Sequence, residues 1–241
     1  MNPLFPFLVI AALAAGQQVT STDTSTEIKA RYLRLGTNPP ATECTFTLRL
    51  TNAGWSIDSV TGRGKTQLTV ASSNDDRGFL GAATATLLAD DQKKMVRVEA
   101  REGKAKVLRA GQAAQELEAP KGVIVTSAPD WTDTFLLCRR FDRKKGGKQE
   151  FPGLWIHPEQ PAQNLTFTIE RQGADAIDHE GKKIDLDRFL IRIRNNSPYA
   201  AWANEAGTMI KLVSLPFQEG KSVELVLEGY EKSAGKLNAK E

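Results

Sequence analysis

Beyond residue 27 the chain is organised by a period of two. Cys44, Phe46, Leu48 and Leu50 alternate with Thr45, Thr47, Arg49 and Thr51, and Val96, Val98 and Ala100 alternate with Arg97, Glu99 and Arg101. The rhythm returns at Leu165, Phe167 and Ile169, at Phe189, Ile191 and Ile193, and at Val223, Leu225 and Leu227. Successive side chains of an extended strand point to opposite faces, so each run predicts a strand with one dry side and one wet side, as in antiparallel sheets. Turn signals fall between the runs, at Asn52-Ala53-Gly54, Gly62-Arg63-Gly64, Asn74-Asp75-Asp76, Glu102-Gly103, Glu180-Gly181 and Glu219-Gly220. Many short strands joined by hairpins make a sandwich, a barrel or a strongly curved open sheet. Residues 80 to 92 fit either a strand or a short helix.

One segment follows a different period. Ser127-Ala128-Pro129-Asp130 resembles a helix start, with a capping hydroxyl, a proline in the first turn and an acid at the third position. Trp131, Phe135, Cys138 and Phe141 then recur at spacings of four, three and three and share a face. Arg139, Arg140, Arg143, Lys144 and Lys145 gather where cations suit the helix dipole, and Gly146-Gly147 ends the run. The spacing predicts one principal amphipathic helix over about 128–145, crossing or plugging the sheet.

The N-terminus changes the picture of where such a sheet would work. No charged side chain precedes Asp23, and Leu4 to Ala15 is apolar apart from Pro6. That run is too short for a membrane helix, which needs about 20 residues, but it matches the apolar core of a secretory signal. Ala12-Leu13-Ala14 and Ala14-Ala15-Gly16 offer small residues for cleavage, and the chain turns polar from Gln17. The n-region Met1-Asn2-Pro3 departs from the pattern in carrying no Lys or Arg. The expectation is a signal peptide at 1–16, a single β-rich domain at 24–231 and a frayed tail at 232–241, in a periplasmic or secreted protein with no membrane span once processed. Cys44 and Cys138 then either pair, closing a loop of about a hundred residues worth ~4 kcal/mol, or stand as separate buried thiols. The sequence leaves both open.

Composition excludes more than it suggests. With 32 basic against 29 acidic residues the net charge is only +3, which gives no basic field for nucleic acid. Cys44, Cys138, His157 and His179 match no metal-ligand spacing, and the acids Asp175, Asp178, Glu180, Asp185 and Asp187 lack the spacing of a calcium loop. No nucleophile elbow, phosphate loop or zinc-protease helix is present. No enzyme, metal or cofactor is therefore expected.

From about residue 120 to 230 the features fall in a recognisable order. Gly122 to Val125 leads into the aromatic helix, then come short strands at Leu154-Trp155-Ile156 and Leu165 to Ile169, a Gly181 hairpin, the strand at Phe189 to Ile193, and a hairpin from Ala201 to Leu212. This succession resembles a group of uncharacterised exported bacterial proteins built on a curved antiparallel sheet, similar in shape to the lipoprotein-carrier half-barrels of the periplasm. The resemblance implies a half-barrel whose concave side holds an apolar ligand such as a lipid, and it carries over no catalytic residue. Trp55, Trp131, Phe135, Trp155 and Trp202 are the candidate lining of such a cavity; as large aromatics they serve equally as plain core. The alternative to a lipid or other apolar partner is an envelope scaffold with a filled interior, which meets another envelope protein at a sheet edge or at the basic helix end.

Overall fold

The computed structural model describes residues 17–22, 25–36, 40–63, 65–127, 131–193, 198–214 and 223–237. The expected signal segment at 1–16 lies outside them. In chain order the elements are β1 Gln17–Thr22, β2 Ser25–Arg34, β3 Ala41–Thr51, β4 Gly54–Arg63, β5 Thr66–Asp75, β6 Leu80–Ala89, β7 Gln92–Arg101, β8 Lys104–Arg109, β9 Gln115–Glu118, β10 Ile124–Thr126, helix α1 Thr132–Arg140, β11 Lys148–His157, β12 Gln160–His179, β13 Lys182–Ile193, β14 Tyr199–Ala203, β15 Met209–Ser214, β16 Glu224–Leu227 and the short helix α2 Glu231–Ala234. The ambiguous segment at 80–92 is thus a strand and the start of its hairpin partner.

All sixteen strands belong to one curved sheet with the order β10-β11-β12-β13-β14-β15-β16-β2-β3-β4-β5-β6-β7-β8-β9, and β1 pairs with β2. Among the described residues the only parallel pair is β10 with β11. The last strand, β16, lies beside β2, so the sheet wraps until the two ends of the domain are neighbours. β1 and β16 lie end to end beside β2, pairing with Ser25–Ala30 and with Tyr32–Arg34. Three hairpins turn on two residues with positive φ, namely Asp90-Asp91 (47° and 62°), Glu102-Gly103 (49° and 89°) and Glu180-Gly181 (51° and 74°). That backbone is the type I′ turn, whose twist matches that of the flanking strands.

Two cores result. The first is enclosed by β2, β3 and β12 to β16, and α1 occupies it with Phe135, Leu137 and Cys138 fully buried. Phe135 packs on Phe46 with ring centroids 4.4 Å apart, and Phe141 meets Phe189 edge-on at 4.9 Å. The second core lies between β5 to β8 and the ribbon of β10, β11 and the start of β12, and is built mostly of Val and Ala. The β11–β12 ribbon serves both, giving Phe167 and Ile169 to the first and Leu154, Ile156 and Ala162 to the second.

The helix is shorter than its spacing predicts, nine residues rather than the interval 128–145. Ser127 does not cap it, since its hydroxyl has no hydrogen-bond partner, and residues 128–130 lie outside the described ones. It stops because Phe141 turns extended (φ −60°, ψ 120°) and the Asp142 carboxylate then accepts the amides of Lys144 and Lys145. Nor is it amphipathic, since Thr132 through Cys138 are all buried. Its polar first turn is satisfied internally: the Asp133 carboxylate accepts from Thr126 Oγ1 at 2.7 Å and from Thr134 Oγ1 at 3.1 Å. Gly207 (φ +77°) lets the β14–β15 turn lie on this helix, because a Cβ there would sit 2.6 Å from Arg139 Cα.

The tail also departs from expectation. Up to residue 237, beyond which 238–241 lie outside the described residues, the chain does not fray but forms α2 and packs Tyr230, Ala234 and Leu237 onto the sheet. Lys211, 1% exposed on β15, donates from Nζ to the Leu237 carbonyl at 2.6 Å and pairs with Glu224 at 3.1 Å.

Candidate functional site

Of the five aromatic residues expected to line one cavity, Phe135 and Trp202 belong to the first core, Trp55 and Trp131 pack against it, and Trp155 lies outside it. Phe135 is at the centre of the first core. Trp202 is on β14 and fully buried; its indole N–H donates to Asp175 at 2.8 Å, and Lys211 Nζ sits 5.9 Å from its ring. Trp131 packs edge-on against Tyr199 at 5.8 Å, and Trp155 stacks on His157 at 5.7 Å. Trp55 is covered by the Arg140 guanidinium, 5.3 Å from its ring centroid. Each has its own neighbours, and the concavity they were expected to frame holds α1.

At the basic helix end Arg139, Arg140 and Arg143 are half-buried, while Lys144 and Lys145 are exposed as the composition suggests. Arg140 donates to the Gly122 carbonyl at 2.6 Å, and burial pushes its pKa down to about 10. Burial lowers the Arg139 pKa too. Arg143 bonds Asp187 and the Asn204 carbonyl, both at 2.7 Å, and ties the loop after α1 to the sheet. Cys44 on β3 and Cys138 on α1 are both buried in the first core and are not joined in a disulfide, the second of the two alternatives open to them. The apolar surroundings raise the Cys138 pKa to about 12.

Each histidine stacks on an aromatic neighbour. His157, at the β11–β12 tip, accepts the Glu159 amide on Nδ1 at 3.2 Å, and burial lowers its pKa. His179 lies under α2, stacked on Tyr230 at 4.0 Å with Nδ1 3.2 Å from Ser233 Oγ. Among the described residues, no group of three or more His, Cys, Asp or Glu is placed to hold a metal ion.

An accessible concavity lies on the outer face of β11, β12 and β13. An open groove of about 470 Å³ runs over Lys148, Glu150, Thr166, Thr168 and Arg192. A second, of about 370 Å³, continues it through the shared Glu150, Asn164, Leu165 and Thr166 to Phe151, Pro152 and Gly153, with Glu118 and Pro120 also lining it. Cross-strand register builds this face, since Glu150 pairs with Thr168 and Thr168 with Arg192. Lys148 and Glu150 make an exposed ion pair at 3.1 Å. The trough is thus basic at the Arg192 end, acidic where Glu118 and Glu150 line it, and apolar at Pro120, Phe151, Pro152 and Leu165. The groove residues carry no motif. Pro152, which breaks a strand ladder and so belongs at an edge, was the one readable sign.

The fold as a whole has a counterpart among solved structures. The chain is similar in fold to a β-barrel-like protein from Brucella abortus. That protein belongs to a domain of unknown function, DUF1849; the match has 9% identity, covers 85% of this chain and 95% of the other, and has a TM-score of 0.53. A DUF1089 family protein from Pseudomonas aeruginosa is also similar, with 16% identity over 70% of this chain and 89% of that one and a TM-score of 0.46. At such identities the likeness concerns the fold alone. No protein-family model and no curated protein matches the chain.

Proposed function

We propose that this is an exported, non-enzymatic β domain that works by binding another polypeptide on its outer surface, in the groove over β11 to β13. The observation that carries the reading is the burial of all seven residues from Thr132 to Cys138 within the sheet's concavity. A carrier of acyl chains needs a hollow, and here the hollow is occupied by the protein's own helix, with Phe135 seated on Phe46. The surface groove, by contrast, is open, partly apolar and bordered by charges of both signs, the mixture found at recognition surfaces. Export is supported by the uncharged opening and the apolar run Leu4 to Ala15. Among the described residues no helix is long and apolar enough to cross a membrane.

The test is native mass spectrometry of the processed protein purified without detergent, paired with crosslinking from a photoreactive residue placed at Thr168. The expected result is a ligand-free mass and a defined crosslinked polypeptide that is lost on adding Arg192→Glu. A co-purified lipid released only when α1 is loosened would overturn the reading and restore the apolar-carrier alternative.

A further inference from the structure

The two ends of the sheet approach one another at the acidic part of the groove without joining. One end is β9 and the other is β10, which covers only Gly153–Trp155 of β11. On its side away from β12, Lys148–Pro152 therefore has no strand beside it among the described residues. The link from β9 to β10 passes this stretch but is drawn off elsewhere, since the Ala119 amide bonds the Gly103 carbonyl at 2.7 Å and the Gly122 amide bonds that of Gly78 at 2.8 Å. What remains between link and strand is the 370 Å³ groove.

Its lining is informative. Glu150, Phe151, Pro152 and Gly153 are consecutive, and consecutive residues of a strand point to opposite faces, so the groove borders main chain as well as side chains. The free stretch of five residues spans about 17 Å, an ordinary strand length. An unpaired edge is a template for another strand, and the charges and Pro152 on this one restrict what can pair with it.

Resting on the binding reading above, we propose that this slot takes an extended segment of the partner as an added strand on β11. The segment carries a basic side chain between Glu118 and Glu150, small apolar side chains over Phe151, Pro152 and Leu165, and an acidic side chain toward Lys148 and Arg192. Main-chain hydrogen bonds supply affinity in this mode, and side-chain pockets supply selectivity.

The experiment pans a library of displayed random octapeptides against the full processed chain. The winning peptide is then titrated by fluorescence polarisation, with and without N-methyl groups on alternate amides. Winners should alternate apolar and polar residues and carry a Lys or Arg. N-methylation on one of the two alternate sets, and the double variant Glu118→Lys, Glu150→Lys, should each weaken binding about tenfold or more. Hydrogen exchange within residues 148–151 should slow in the complex. Both glutamates are exposed, so the variant's melting curve should match that of the parent; if it does not, the methylated peptides decide alone. Binding indifferent to N-methylation, or protection that maps elsewhere, sinks the added strand but leaves a polypeptide-binding domain standing. A library that yields no binder sinks both.

Discussion

Phe135→Ala tests whether the concavity is truly filled. Phe135 is fully buried, at the middle of α1 and in contact with Phe46. Truncating a phenylalanine in a packed core costs ~3–5 kcal/mol, the transfer energy of the ring plus the cavity it leaves. For a domain of this size each kcal/mol lowers the melting temperature by about 2–4 °C, so a fall of roughly 10 °C is expected. Were α1 a loose cover over a hollow, the ring would already border empty space and the cost would drop toward ~1–2 kcal/mol, mostly transfer energy. Circular dichroism on heating measures the difference. A second reading comes from benzene, because an apolar cavity the size of a ring stays dry and binds it. At a hundred times its dissociation constant benzene should restore ~2.7 kcal/mol to the variant and nothing to the parent. A fall below about 6 °C, or benzene stabilising the parent equally, would refute the filled interior.

Three further outcomes are expected. Lys211→Met keeps the buried stem but leaves the Leu237 carbonyl without its donor, which should cost ~1–3 kcal/mol and speed carboxypeptidase trimming past residue 237; equal trimming rates would count against the tail's attachment. His157 accepts a hydrogen bond on Nδ1 and has a pKa lowered by burial; the unfolded chain thus binds more protons over that interval, and stability should decline as pH falls through the ordinary imidazole range near 6.5, a decline that His157→Gln removes. Cys138, with a pKa near 12 and no exposure, should resist iodoacetamide at pH 8 in the native protein and react once urea unfolds it; rapid native labelling would mean the first core opens readily.

The strands were legible because their outer faces are wet. Val96, Val98, Phe167, Ile169, Phe189 and Ile191 are all fully buried, as their alternation requires, and the polar residues between them are not. Alternation fails at β15, where Met209 to Val213 are buried without a break. There the tail covers the outer face, and Lys211 is dry because Leu237 and Glu224 satisfy its charge. The sign of this lay in the tail itself. Tyr230, Ala234 and Leu237 recur at spacings of four and three, a one-sided stripe that a short polar segment conceals. The helix limits were misjudged for a related reason. Capping residues and glycines mark where a helix is permitted to start and stop, whereas Asp142 and its two accepted amides decide where this one does.

The groove was illegible for a deeper reason, since it is a property of strand order rather than of any segment. β11 and β12 leave the first core with Phe167 and Ile169 facing α1, and enter the second with Leu154, Ile156 and Ala162 facing β5 to β8. Between those levels the ribbon must expose the face that neither core covers, and the trough over Glu150, Thr166 and Thr168 lies there. Gln115 marks the limit of that gap, its side-chain amide donating to the Ala162 carbonyl at 2.8 Å and accepting the Ala162 amide at 3.0 Å, much as a neighbouring strand would. One glutamine thus bonds the inner end of the ribbon as backbone would, while beyond it the edge of β11 at Lys148–Pro152, on its side away from β12, has no strand beside it among the described residues. A sheet that uses one ribbon to serve two cores is left with an opening where they part, and a partner strand is the element that fits it.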